Sequence, residues 1–94
     1  MSFSLQFDDK VKKDFKKLSK NIQLFILDSL DIFVKNFSNE YEKELLKTGK
    51  IKYLQGHWSG FYRLKLRTYR VIYKKENEEL VIYVLRVAHR KEVY

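Results

Sequence analysis

Hydrophobic positions change their period once along this chain. From Ser2 to Phe7 they alternate: Phe3, Leu5 and Phe7 on one side, Ser4 and Gln6 on the other. Strict alternation over so few residues predicts a short, half-buried strand. From Asp8 the spacing becomes helical. Asp8 and Asp9 are candidate N-caps that also place acidic charge in a first turn. Val11, Phe15 and Leu18 then recur at helical spacing among Lys12, Lys13, Lys16 and Lys17, which predicts a short amphipathic helix. Ser19 to Asn21 forms a break and a cap. A second helix is expected from Asn21 to Asn36, with Ile22, Phe25, Ile26, Leu30, Phe33 and Phe37 as its apolar stripe. Leu24 and Leu27 widen that stripe, so this helix should be the more buried of the two. A helical hairpin results, and Asn39 to Lys47 can add another turn or two.

After Gly60 the period falls to two. Phe61, Arg63, Lys65 and Arg67 share one face, Tyr62, Leu64 and Leu66 the other. Tyr69 to Lys75 continues as a strand, Glu76 to Glu79 is a polar turn, and Leu80 to Val87 is an almost unbroken apolar run. Such a run suits a central strand covered on both faces. Lys91 to Tyr94 can add a last short strand. Strands joined by such short turns pair antiparallel. Gly49, Gly56 and Gly60 are the only glycines and mark the joint between helical and extended halves. The fold class expected is α+β: an N-terminal strand, a helical hairpin, then an antiparallel β-meander, with helices on one sheet face and the cationic side of residues 61–67 facing outward. Ninety-four residues make one domain, 1–94.

Charge adds a direction. Residues 1–49 carry 9 Lys/Arg against 8 Asp/Glu, whereas residues 50–94 carry 11 against 4. A near-neutral half joined to a strongly cationic one suggests a scaffold plus a face for a polyanion, since clustered Lys and Arg neutralise phosphates and release counterions. The competing reading is a charged surface kept for solubility. Cysteine is absent, so disulfides and thiolate metal sites are excluded. No apolar segment follows a basic N-terminal region, and Ile22 to Phe37 is interrupted by Asp28, Asp31 and Lys35. Neither a signal peptide nor a membrane span is expected, which makes the cytoplasm the expected location.

Candidate chemistry lies in the basic half. Arg63, Lys65 and Arg67 would stand about 6.5–7 Å apart along one strand face, near the spacing of successive phosphates. Neighbouring cations depress one another's pKa, and Lys is the member able to lose its proton, which makes Lys65 a candidate base. An ordinary solvated sheet face explains the row equally well. Arg70 begins the next strand and can lie opposite the row; Arg86, Arg90 and Lys91 follow the long apolar run and can reach the same end. His57 and His89 stand at no metal-ligand spacing, so no metal site is expected. Either can be an acid or base, with His89 favoured by Arg90 beside it and His57 assigned to a loop. Among the aromatics of the basic half, most suit sheet packing, while exposed ones can stack on bases. No phosphate-binding loop, dinucleotide fingerprint or nucleophile elbow occurs.

Leu54-x-Gly56, Tyr62-Arg63-Leu64-Lys65-Leu66-Arg67, Tyr69-Arg70-Val71-Ile72-Tyr73 and Val87-Ala88-His89-Arg90-x-x-Val93-Tyr94 together resemble the RelE family of bacterial and archaeal toxins. The N-terminal strand and hairpin suit the same microbial ribonuclease-type fold. The Tyr-Arg-aliphatic-x-Tyr segment marks the wider RelE/ParE superfamily, and the His-Arg-x-x-Val-Tyr ending points to the RelE branch. The resemblance implies a type II toxin that enters the ribosomal A site and cuts the mRNA codon there. In that reaction a 2′-hydroxyl attacks the adjacent phosphate, leaving a cyclic phosphate and a 5′-hydroxyl. It needs a base, cations around the transition state and a proton for the leaving oxygen. By resemblance, Lys65 matches the general base, Arg70 the transition-state cation, Arg90 the residue serving the leaving group, and Tyr94 the C-terminal tyrosine that orients or stacks on substrate. Arg63 occupies a position usually held by Lys and cannot be a base near neutral pH, which leaves Lys65 or His89. Arg63 and Arg67 remain candidates for RNA contact. The chain stops at Tyr94, so the C-terminal helix of some relatives is not expected. The implied partners are mRNA, the ribosome and a RelB-like antitoxin, with no cofactor, metal or membrane. The alternative on the same fold is a ParE-like poison of DNA gyrase without nuclease activity.

Overall fold

The computed structural model describes residues 3–92. Strand β1 (Ser4–Phe7) is followed by helices α1 (Asp9–Lys16), α2 (Lys20–Asn36) and α3 (Asn39–Thr48). Strand β2 (Ile51–Tyr53), a single 3₁₀ turn (Gly56–Trp58) and strands β3 (Tyr62–Leu66), β4 (Tyr69–Glu76) and β5 (Val81–His89) follow among the described residues. The expected α+β class holds, with helices on one face of the sheet.

Local chemistry sets the helix boundaries. The Asp8 carboxylate accepts from Lys10 N at 2.9 Å and opens α1. The Ser19 hydroxyl accepts from Ile22 N at 3.3 Å and opens α2; the Ser38 hydroxyl does the same for α3 from Tyr41 N at 3.0 Å. Each satisfies one of the amides a helix start leaves unpaired. Gly49, at φ 81°, ends α3 in the left-handed conformation that glycine adopts without a Cβ clash. α3 is thus a full ten-residue helix rather than a turn or two.

The sheet has five strands in the order β1-β5-β4-β3-β2. β2, β3, β4 and β5 form the antiparallel meander, and β1 joins β5 in parallel, Ser4 opposite Val81 and Phe7 opposite Val84. β2 falls in a stretch whose glycines suggested only a joint; three residues are too few for an alternating pattern to show. The last expected strand does not form at Lys91 and Glu92, which lie in a turn, while Val93 and Tyr94 fall outside the described residues.

Val11 of α1 and Ile26, Leu30, Phe33, Val34 and Phe37 of the α2 region pack on Tyr62, Leu64, Val71, Tyr73, Ile82 and Val84. Buried Glu42 of α3 bridges to the sheet, accepting from Lys75 Nζ at 2.5 Å and from the Tyr73 hydroxyl at 3.3 Å. The broad stripe expected of α2 is narrower in fact. Leu24 is 55% exposed, Leu27 38% and Ile32 52%, so the helix buries one face and leaves apolar residues on both flanks.

Candidate nucleic-acid interface

Register brings part of the expected cluster together. Lys65 of β3 lies directly opposite Arg70 of β4, and Arg70 lies opposite Ala88 of β5. Direct cross-strand neighbours have Cβ atoms about 5 Å apart. The three side chains share the sheet face away from the helices, since Leu64, Leu66, Val71 and Val87 on the alternate positions are buried in the core. Ala88 presents only a methyl group beside Arg70. Arg90 follows one residue beyond β5; its amide donates to the Thr68 carbonyl at 2.7 Å, which seats it over the β3–β4 turn. Lys65, Arg70 and Arg90 therefore gather at one end of the sheet. Lys65 and Arg90 are exposed, and the Arg70 guanidinium donates to the Arg67 and Tyr69 carbonyls at 2.9 and 3.0 Å.

Other expected members stand elsewhere. Arg67 does not continue the row of Arg63 and Lys65. It is the first residue of a two-residue hairpin loop and takes φ 56°, which turns its side chain to the helix side. There its guanidinium carbon stands 3.9 Å from the centre of the Phe25 ring. The short loop causes this, because a two-residue hairpin demands positive φ at its first position. Arg63 is half-buried and donates to the Gly49 carbonyl at 2.6 Å, where the C-terminus of α3 concentrates negative potential; its Nε is buried without a hydrogen-bond partner. A phosphate track of three successive cations is thereby reduced to Lys65 on β3.

His89 is on the opposite sheet face from Lys65 and Arg70, paired with Tyr69 and edge-on to its ring at 5.6 Å. Its Nδ1 accepts from Lys91 N at 3.3 Å. Strand alternation separates it from the cations that its neighbour Arg90 joins. With Tyr69, Lys17, Leu18 and Glu92 it lines a separate cavity of about 290 Å³ against α1. His57 lies in the 3₁₀ turn, edge-on to Trp58. Tyr94 lies outside the described residues.

Arg86 does not join the cluster either. Its Nε and Nη2 donate to the two oxygens of Asp14 on α1, each at 3.0 Å, and Val87 N donates to the same carboxylate at 2.9 Å. The Asp14 bond holds Arg86 more firmly protonated, against the opposing effect of its partial burial. β1 stops opposite Val84, so beyond that point Asp14 replaces a neighbouring strand and fixes the end of β5 that carries Arg90. The sequence holds a signal for this: Asp14 falls within the apolar stripe of α1, between Val11 and Leu18. At the other end of β5, the Tyr83 hydroxyl donates to Asp8 at 3.0 Å. Asp8 sits below its ordinary pKa because of the Lys10 amide and then Tyr83, and Tyr83 above its own because of Asp8.

Among the described residues no group of His, Cys, Asp or Glu is placed to hold a metal ion, and no helix is long and apolar enough to cross a membrane. The sheet end offers cations and donors to an anion.

The sequence pattern of the family described as "ParE toxin of type II toxin-antitoxin system, parDE" matches residues 5–94. This chain belongs to that toxin family. Within it, the similarity runs toward toxins called RelE. Toxin RelG of Mycobacterium tuberculosis (strain ATCC 25618 / H37Rv) is 27% identical over 94 residues, covering 100% of this chain and 98% of the relative. The archaeal RelE–RelB complex from Pyrococcus horikoshii OT3 superposes with a TM-score of 0.69 at 27% identity, over 99% of this chain and 100% of that one. The isolated Escherichia coli RelE toxin gives 0.56 at 29% identity, over 100% and 92%. The toxin family fold thus spans the described residues from β1 onward.

Proposed function

We propose that this type II toxin is a ribosome-dependent mRNA endoribonuclease acting on the A-site codon in the cytoplasm. The observation that carries the reading is the placement of Lys65 opposite Arg70 with Arg90 at the same sheet end. In its neutral form Lys65 takes the proton of a ribose 2′-hydroxyl. The 2′-oxygen bonds to phosphorus, the bond from phosphorus to the 5′-oxygen breaks, and a cyclic phosphate remains. Arg70 and Arg90 stabilise the doubly charged phosphorane, which needs donors held in place before charge develops. Arg90 or Tyr94 supplies the proton or hydrogen bond that lets the 5′-oxygen leave. His89, from its place on the other face, acts only if substrate wraps around the sheet end. The chain is neutralised by a protein antitoxin of the RelB kind, a reading supported by the archaeal relative solved with RelB.

The test is growth arrest on expression, followed by primer extension on a translated message. Cuts in codon register that need ribosomes are expected from the native chain, and none from Lys65→Ala or Arg70→Ala. Full cutting by both variants would refute the assignment. Intact mRNA with accumulated gyrase–DNA cleavage complexes would instead identify a gyrase poison.

A further inference from the structure

The cavity of about 290 Å³ at the end of β5, against α1, is lined by polar groups that the reaction at Lys65 does not use. Lys17 brings an ammonium, His89 an imidazole, Tyr69 a phenol and Glu92 a carboxylate. Asp14 and Arg86 also line it, but they hold each other. Both Asp14 oxygens accept from Arg86, and one accepts from Val87 N as well. That leaves Glu92 as the carboxylate open to a guest. The His89 Nδ1 accepts from Lys91 N at 3.3 Å, so the neutral ring carries its proton on Nε2 and donates from there. The Tyr69 and His89 rings meet edge-on, at 85° and 5.6 Å. Two rings at nearly a right angle give a planar guest one face to stack on and one edge to abut.

We propose that this cavity receives a nucleobase of the RNA strand and favours a base with a carbonyl beside a ring N–H, as guanine and uracil have. The proposal rests on the nuclease reading and extends it from the strand's phosphates to its bases. Placement supports it. Ala88 lines the cavity and also stands opposite Arg70. His89 directly precedes Arg90, with Cα atoms about 3.8 Å apart, closer than neighbouring phosphates of one strand. A strand with a phosphate on Arg70 and Arg90 can therefore turn one base over the sheet end into the cavity. Single-stranded RNA is read by such splayed bases, stacked on aromatic rings and bonded along their edges. Lys17 and the His89 Nε2–H suit a carbonyl oxygen, and Glu92 suits the neighbouring ring N–H. Adenine and cytosine present an acceptor nitrogen where that N–H would be, which leaves the Glu92 carboxylate without a partner. A Leu or Phe side chain would leave every one of these polar groups unpaired.

The test is amide chemical-shift mapping on the full chain with the four nucleoside 5′-monophosphates and with ribose 5-phosphate. Guanosine and uridine monophosphates should shift Lys17, Leu18, Tyr69 and Glu92, and should bind about tenfold more tightly than the adenosine and cytidine forms. Ribose 5-phosphate should leave those amides in place. Glu92→Ala, at an exposed turn position, should level the preference without changing the melting temperature. On ribosome-bound messages, with each nucleotide flanking the cut varied in turn, one position should show a preference of about tenfold for guanine and uracil. Glu92→Ala should erase it. Cavity shifts with ribose 5-phosphate, equal binding of all four bases, or stronger cavity shifts with a Glu-rich peptide would each overturn the proposal. So would cutting that ignores both flanking bases while monophosphates fill the cavity, which would make it a site for free nucleotides. Silent cavity amides beside normal cutting would remove the base site and leave the nuclease reading standing. A chain that binds guanosine monophosphate in the cavity but cuts no message would refute the nuclease reading, and with it the message strand as the source of the base.

Discussion

Replacing Asp14 by Ala removes the acceptor of three hydrogen bonds, two from Arg86 and one from Val87 N. Their contributions differ. The Arg86 side chain is 39% exposed, so water replaces the carboxylate, and that pair contributes under about 1 kcal/mol. Val87 is 1% exposed and lies past the end of β1. A buried amide stripped of its partner loses about 1–3 kcal/mol. The whole substitution should therefore cost about 3 kcal/mol, whereas Arg86→Ala should cost only about 1 kcal/mol. At about 4–8 °C per kcal/mol for a domain of this size, the melting temperature should fall by roughly 12–24 °C in Asp14→Ala. A double-mutant cycle by denaturant unfolding should return a coupling of about 1 kcal/mol. Hydrogen exchange at the Val87 amide should quicken in Asp14→Ala and stay slow in Arg86→Ala. If Arg86→Ala proves as costly as Asp14→Ala, or leaves Val87 equally unprotected, the ion pair rather than the backbone cap holds the end of β5.

Alkaline pH should unfold the chain. Burial and then the Glu42 charge push the Tyr73 hydroxyl up, burial and the Tyr53 hydroxyl push Tyr62 up, and Asp8 raises Tyr83. Groups whose folded pKa is raised stabilise the fold fully below their ordinary value near 10, and that stability is lost as pH climbs through the raised values. Ultraviolet titration should show the buried Tyr62 and Tyr73 ionising only as the chain unfolds, and ordinary titration of these two in a folded chain would contradict the burial argument. Arg67→Gly should change stability by less than about 1 kcal/mol, because relief of left-handed strain offsets the lost contact with Phe25; Arg67→Val, β-branched at positive φ, should lose about 2 kcal/mol. A thermal melt of the two variants decides it, and equal stability would show that the turn carries no strain. Cleavage by the native chain should fall steeply with added salt, as phosphate contacts release counterions; salt-independent cutting of a ribosome-bound message would contradict an interface built on Lys65, Arg70 and Arg90.

Elements that repeat a pattern were legible along the chain. The switch from helical spacing to alternation placed α1, α2, β3, β4 and β5, and the buried alternate positions Leu64, Leu66 and Val71 fixed which side of β3 and β4 faces the helices. Once that side is fixed, Lys65 and Arg70 have to look outward, because slipping the register by one residue would bury both charges. Tertiary structure decided what depends on residues far apart in the chain or on single backbone angles. Three-residue β2 becomes a strand only through β3, and β1 finds its parallel place only beside β5. Asp14 acquires a role because β1 ends opposite Val84, three residues short of Val87. A positive φ at Arg67 carries that side chain through the sheet plane, away from the row that simple alternation assigns it. Alternation also sends His89 and Arg90 to opposite sides although they adjoin in sequence, and periodicity alone does not reveal which of the two the outward cations receive, since that depends on how β5 pairs with β4 after the irregularity between Ile72 and Tyr73.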